Sequence, residues 1–105
     1  MWADVERMLA DSDLVVGLLD EGRLVGFARV LTDFVYFGMV LDVIVAPNRR
    51  GIGLGRVLLD VVVGHPRLAG VRSLELVCQP EMVPFYRAWG FTDQVGRSLL
   101  MRRAK

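Results

Sequence analysis

The sequence predicts one α/β domain, residues 1–105, with a mixed, mostly antiparallel central sheet and flanking helices. Three observations carry this. The first half consists of short β-branched and apolar runs separated by turn residues. The second half changes to helical spacing, with strand-like runs between the helices. A glycine-rich loop, Arg50-Gly51-Ile52-Gly53-Leu54-Gly55-Arg56, joins the two halves.

Ala3 to Ala10 reads as a short helix, with Val5, Met8 and Leu9 at helical spacing. Leu14 to Leu19 is apolar and β-branched, hence a strand. Asp20-Glu21-Gly22-Arg23 is turn chemistry, with Gly22 free to take positive φ. Leu24 to Thr32 completes a hairpin. Asp33 falls in a turn, and Tyr36 to Val45 is a long, central strand ended by Pro47 and Asn48. Gly53 to Val63 carries Leu54, Val57, Leu58, Val61 and Val62 at helical spacing, and Gly64-His65-Pro66 stops that helix, with His65 as a C-terminal cap. Leu74 to Cys78 is a short strand. Glu81 to Trp89 is a helix with Pro84 in its first turn and Gly90 as its stop. Arg97 to Arg102 reads as a closing strand.

Composition narrows the function. The chain is 53% hydrophobic, too apolar for disorder. Thirteen Lys and Arg against 12 Asp and Glu leave a formal charge of +1, without the basic excess of a nucleic-acid binder. The single cysteine, Cys78, makes no internal disulfide or cysteine zinc site and fits a reducing, cytoplasmic setting. No metal site is expected. The longest apolar run, Phe34 to Leu41, is bracketed by Asp33 and Asp42 and is far short of a membrane span. The N-terminus lacks the basic-then-apolar order of a signal peptide. The apolar excess predicts a surface covered by a second copy, hence a homodimer.

The loop carries the chemistry. Alternate glycines, Gly51, Gly53 and Gly55, let the backbone turn tightly and clear side chains from its approach. The helix that follows offers unpaired N–H groups and the positive end of its dipole. Together they make an anion site suited to a phosphate or diphosphate, with Arg50 and Arg56 at its edges. A P-loop would continue Gly-Lys-Ser/Thr, whereas this one continues Gly55-Arg56-Val57. A dinucleotide fingerprint built on Gly51 and Gly53 would need glycine where Arg56 stands.

What remains, Arg50-Gly51-Ile52-Gly53-Leu54-Gly55, resembles the signature of the GNAT superfamily of acyl-CoA-dependent N-acetyltransferases. Val43-Ile44-Val45-Ala46-Pro47 looks like the family's strand leading into that loop. Phe85-Tyr86-Arg87-Ala88-Trp89-Gly90-Phe91 is similar to its second signature, an aromatic-Tyr pair followed by Gly-Phe. The resemblance runs from about Leu14 to the C-terminus. It implies a GNAT-like fold and acetyl-CoA as co-substrate. It also implies cofactor contacts from Val43, Ile44, Val45, Arg50, Gly51, Ile52, Gly53, Leu54, Gly55, Arg56 and Phe85. The family's domain usually opens with a further strand and a long helix pair, where this sequence has a stub before Leu14. Gln79 lies near a place where the family often has Asn, and no glutamate stands on Tyr36 to Val45, where many members keep a base.

The reaction so implied moves an acetyl group from the thioester to a primary amine, of a small molecule or a peptide, by direct attack. No Cys–His pairing for an acetyl-enzyme is apparent. A backbone N–H at Val43 or a neighbour would polarise the carbonyl. Tyr86 is the candidate acid for the leaving thiolate, and Asp42 the candidate base for the amine. Each has a plainer reading. Tyr86 also fits a core aromatic, Asp42 a strand-edge cap, the glycines a tight turn, and Cys78 a small buried apolar residue. Two other functions stay open: a CoA-binding module without turnover, for instance a regulatory subunit, and a general phosphate or nucleotide binder.

Overall fold

The structure, a computed structural model, describes residues 1–105. Helix α1 spans Trp2–Asp11 and ends at Ser12, whose backbone N–H and hydroxyl both donate to the Met8 carbonyl. Strand β1 (Leu14–Asp20) pairs antiparallel with β2 (Arg23–Thr32) through a two-residue turn. Both turn residues, Glu21 and Gly22, have positive φ, which matches the twist of a tight hairpin. Asp33 then shapes the next connection. Its Oδ1 accepts from the amides of Val35, Tyr36 and Phe37 at 2.9, 2.8 and 3.1 Å.

Strand β3 (Phe37–Val45) pairs antiparallel with β2, and β4 (Ser73–Leu76) pairs parallel with β3. The four strands lie in sequence order, and the parallel pair needs a crossover. Helix α2 (Leu54–Val63) supplies it. Its face buries Leu58, Leu59 and Val62 against Leu14, Val16, Ala28, Val30 and Val40 of the sheet. Each Leu or Val among them contributes about 1.5–3 kcal/mol when removed from water. Leu68 and Tyr86 complete this cluster. The other sheet face is largely open, with Val15, Leu31 and Ile44 exposed.

Helix α3 (Val83–Arg87) is short because Pro80 and Pro84 constrain its approach. The expected helix Glu81 to Trp89 divides into a one-turn 3₁₀ segment, Pro80–Met82, and α3. Gly90 stops it at φ +86°. Trp89 Nε1 donates to Asp60 Oδ1 at 2.9 Å and straps this segment to α2.

Three expectations need correction. Arg97 to Arg102 forms no strand. Leu99, Leu100 and Met101 are a consecutive apolar run without alternation, which suits only a strand covered on both faces. Nothing covers this one, and all three are exposed. Strand β4 ends at Leu76 and not at Cys78, because β3 and β4 have parted by then. His65 does not cap α2. Its Nδ1 accepts from the Arg67 amide and caps the following turn, Pro66–Leu68.

Candidate active site

The site begins at a fork in the sheet. Strand β4 accompanies β3 from Phe37↔Ser73 to Val40↔Leu76 and then leaves it. From Leu41 to Val45, β3 has a partner only in β2. The Ala46 amide donates to the Val25 carbonyl on the β2 side. Amides alternate in direction along an extended strand, so those of Val45 and Val43 point to the open edge. A bulge lies at the start of this stretch. Phe27 faces Ile44 and Arg29 faces Leu41, so Asp42 and Val43 together stand opposite Ala28.

The chain leaves β3 through a 3₁₀ turn, Pro47–Arg49, and enters the glycine loop. Gly51 and Gly53 both take left-handed φ, +83° and +88°. No atom lies within 4 Å of where a Cβ at either would sit, so their outer side is clear. Gly53 is the N-cap of α2 and has no side-chain capping bond. The leading N–H groups of α2 are therefore free of a side-chain cap. Gly55 is used differently. A Cβ there would lie 3.3 Å from Phe85 Cζ, so glycine lets α3 approach the first turn of α2.

A cleft of about 310 Å³ opens over this loop. Val45, Arg50, Gly51, Gly53, Leu54, Gly55, Arg56 and Phe85, all candidates for cofactor contact from the sequence, line it. Arg49 also lines it and was not foreseen. Its guanidinium is paired with Asp20 at the far end of β1, a partner that local sequence does not reveal. Arg50 Nε donates to the Val45 carbonyl at 3.2 Å, which folds its side chain along the strand end. Three sequence candidates do not line this cleft. Ile52 sits exposed at the loop tip, Ile44 is exposed on the opposite sheet face, and Val43 is half-buried at the fork.

Tyr86, next to Phe85 on α3, faces a second, larger cleft of about 730 Å³ between β4, α3 and the C-terminal segment. Phe85 and Phe91 pack edge-on against its ring, with centroids 5.1 and 6.2 Å away. Burial, and secondly the charge of Cys78, raises its phenol above the ordinary 10.0. Cys78 is half-buried on the same cleft. Asp42 stands beside the fork with φ +56°, and its Oδ2 accepts from Arg29 Nε at 2.6 Å. Its carboxylate is thus already engaged.

The comparisons with known proteins bear on this arrangement. The model of the acetyltransferase (GNAT) family matches residues 2–91. An uncharacterised N-acetyltransferase of Porphyra purpurea is 32% identical over 91 residues, covering 83% of this chain and 52% of the relative. Serotonin N-acetyltransferase 2, chloroplastic, of Oryza sativa is 43% identical over 70 residues, covering 67% of this chain and 35% of that protein. The chain thus spans about half the length, or less, of the curated relatives it matches. A crystal structure from Xanthomonas campestris, described as a GNAT-family acetyltransferase, superposes with a TM-score of 0.88 at 36% identity. It covers all of this chain and 72% of that one.

Proposed function

The chain belongs to the acetyltransferase (GNAT) family, and on that premise we propose that it binds acetyl-CoA at the glycine loop and transfers the acetyl group to a primary amine. The open, uncapped loop is the observation that carries the reading. Gly51 and Gly53 clear the approach, and Arg49, Arg50 and Arg56 line the cleft above it. That donor set fits a diphosphate: backbone N–H groups, a helix dipole and guanidinium charge. Arg56 and Arg50 supply the charge, while Arg49 is shared with Asp20.

Bound acetyl-CoA supplies the activated acetyl group. The chain's part is to hold and polarise it. Amides of Val43 and Val45 at the open edge of β3 donate to the thioester carbonyl oxygen, where negative charge develops. In the transfer the amine nitrogen would bond to the carbonyl carbon as the carbon–sulfur bond breaks, Tyr86 Oη would give its proton to the leaving sulfur, and a proton from solvent would restore the phenol. A phenol above 10 is a weak acid toward a thiol near about 8.5, so this transfer works by placement as the bond breaks. Asp42 already carries the Arg29 guanidinium, so we assign the amine's proton to water at the open side of the fork.

The acceptor class is a primary amine on a small molecule or a peptide. The near-neutral charge of the chain favours neither small amines nor polyamines nor protein lysines over one another. We propose a cytoplasmic homodimer, supported by the exposed Val15, Leu31 and Ile44 on the open sheet face. Light scattering at micromolar concentration should give twice the chain's 11.7 kDa, and a monomer contradicts it.

The functional reading is tested by calorimetry with CoA, ATP and NAD, and by thiol release from acetyl-CoA over a panel of primary amines. CoA should bind tightest, and at least one amine should release thiol. Tighter binding of ATP or NAD overturns the diphosphate-thioester reading. Binding of CoA with no release on any amine leaves a binding module and removes the catalytic half.

A further inference from the structure

Three residues other than glycine have positive φ: Glu21, Phe34 and Asp42. The first two lie in connections, where such a backbone is ordinary. Asp42 lies inside a strand. Left-handed backbone is unfavourable for any residue with a Cβ, and aspartate is among those that tolerate it best. Something must still hold it there. Arg29, on the neighbouring strand, donates from Nε to Asp42 Oδ2 at 2.6 Å. Its Nη1 lies 3.4 Å from Ser12 Oγ, at the end of α1. The Arg29 side chain is only 18% exposed, so its stem is packed and its head is fixed in direction. The pair spans the place where the β2–β3 register slips, between Phe27 and Arg29.

We propose that Arg29 is a positioning residue for acetyl transfer: its ion pair with Asp42 holds β3 in a left-handed kink, and the kink directs the amides of Val43 and Val45 into the fork. The inference rests on the acetyl-CoA reading of the fork. It gives Asp42 a conformational task. The carboxylate is there to be gripped, and the proton of the acceptor is not its concern. The Asp42 end of the pair is 44% exposed, and an ion pair open to water contributes little to global stability, so the effect is local to the fork.

The test compares Arg29→Met, Asp42→Ala, Asp42→Gly and the double variant Arg29→Met/Asp42→Gly. Arg29→Met should lower kcat about fivefold to tenfold while KM for acetyl-CoA stays nearly constant, the range expected when a left-handed residue loses its support. Glycine takes left-handed φ unaided. Asp42→Gly should therefore exceed Asp42→Ala in kcat by about fivefold, and in the double variant it should recover most of what Arg29→Met lost. If Asp42 accepted the amine's proton, Gly and Ala would be equally poor and the double variant the worst of the set. That result overturns the proposal.

A second readout needs no turnover. Amide hydrogen exchange at Ile44 and Ala46, the amides of this stretch that face β2, should quicken in Arg29→Met and return toward wild type in the double variant. Unchanged exchange in Arg29→Met overturns the kink. If Arg29→Met does not fold, Arg29→Lys replaces it, keeping stem and charge but losing the planar fork of donors. Quickened exchange is again expected, and wild-type exchange and kcat overturn the proposal. A wild-type protein that neither binds CoA nor releases thiol refutes the acetyl-transfer reading, and the exchange comparison then still decides the kink.

Discussion

From Gly38 to Val40, β3 has a partner on each side, and from Leu41 to Val45 it has only β2. The first half is architecture. Gly38 and Val40 are buried, and Val40 belongs to the main cluster. The second half leaves one edge without a ladder, carries a bulge and a left-handed residue, and runs into a loop with two more positive φ values. One strand therefore has a half whose backbone is paired on both edges and a half with one edge left unpaired. Changes in the first half should reach function only through stability. Changes around the second should reach affinity or turnover directly.

The largest effect is expected beyond the open half, at Gly53. A valine there would sit at φ +88°. The strained backbone costs about 1–2 kcal/mol, and each charge-assisted bond to the ligand that is lost costs about 1.5–3 kcal/mol. Together these predict a fall in CoA affinity of about a hundredfold by calorimetry. An affinity within threefold of wild type would break the contrast between the halves.

Tyr86→Phe sharpens it next. Turnover should fall by about 10²-fold with CoA affinity held, the range typical of an acid–base group. The raised phenol pKa adds a sign. The proton stays on Tyr86 beyond the ordinary 10.0, so loss of the acid cannot produce an activity decline below that pH. The stability that goes with the raised value is fully present below 10.0 and fades as pH climbs through the folded value. A decline in activity near neutrality that disappears in Tyr86→Phe would contradict this.

Gly38→Ala probes the closed half. Its new Cβ would lie 2.8 Å from Leu74 Cδ2, on a side chain that can yield, so the cost in stability should be about 1 kcal/mol in urea unfolding. CoA affinity should stay within twofold. A loss of affinity larger than the loss of stability explains would show that the halves are not separable.

The smallest effect lies at the connection before β3. The Val35 amide foremost, then those of Tyr36 and Phe37, hold the Asp33 carboxyl below the ordinary 3.8. A lowered carboxyl pKa contributes stability that is present above 3.8 and lost as pH falls through the folded value. Melting temperatures across that range should drop more steeply for wild type than for Asp33→Asn. Parallel curves would remove Asp33 from the account.

The two halves also differ in how far the sequence discloses them. The loop is legible because its requirements are local: three alternate glycines and flanking arginines stand within nine residues, Asn48 to Arg56, and an apolar helix follows at once. The fork is not. It depends on β4 ending at Leu76, and a run such as Leu74 to Cys78 does not state where its neighbour departs. The partners that fix the site are also distant: Arg29 with Asp42, Arg49 with Asp20, and Trp89 with Asp60. Asp42 is recognisable as a carboxylate, but its left-handed backbone is a product of pairing. The tail misleads for the opposite reason. Leu99-Leu100-Met101 has strand composition but no alternation to seat it on an open sheet edge.

The most direct test is an amide-resolved NMR titration of the protein with CoA, run in parallel with pantetheine, which lacks the diphosphate. The account predicts that CoA shifts the amides of Gly51 and Gly53 through Arg56 most strongly, and that pantetheine leaves them in place. Saturation by CoA with those amides unmoved, or equal movement under pantetheine, would contradict it.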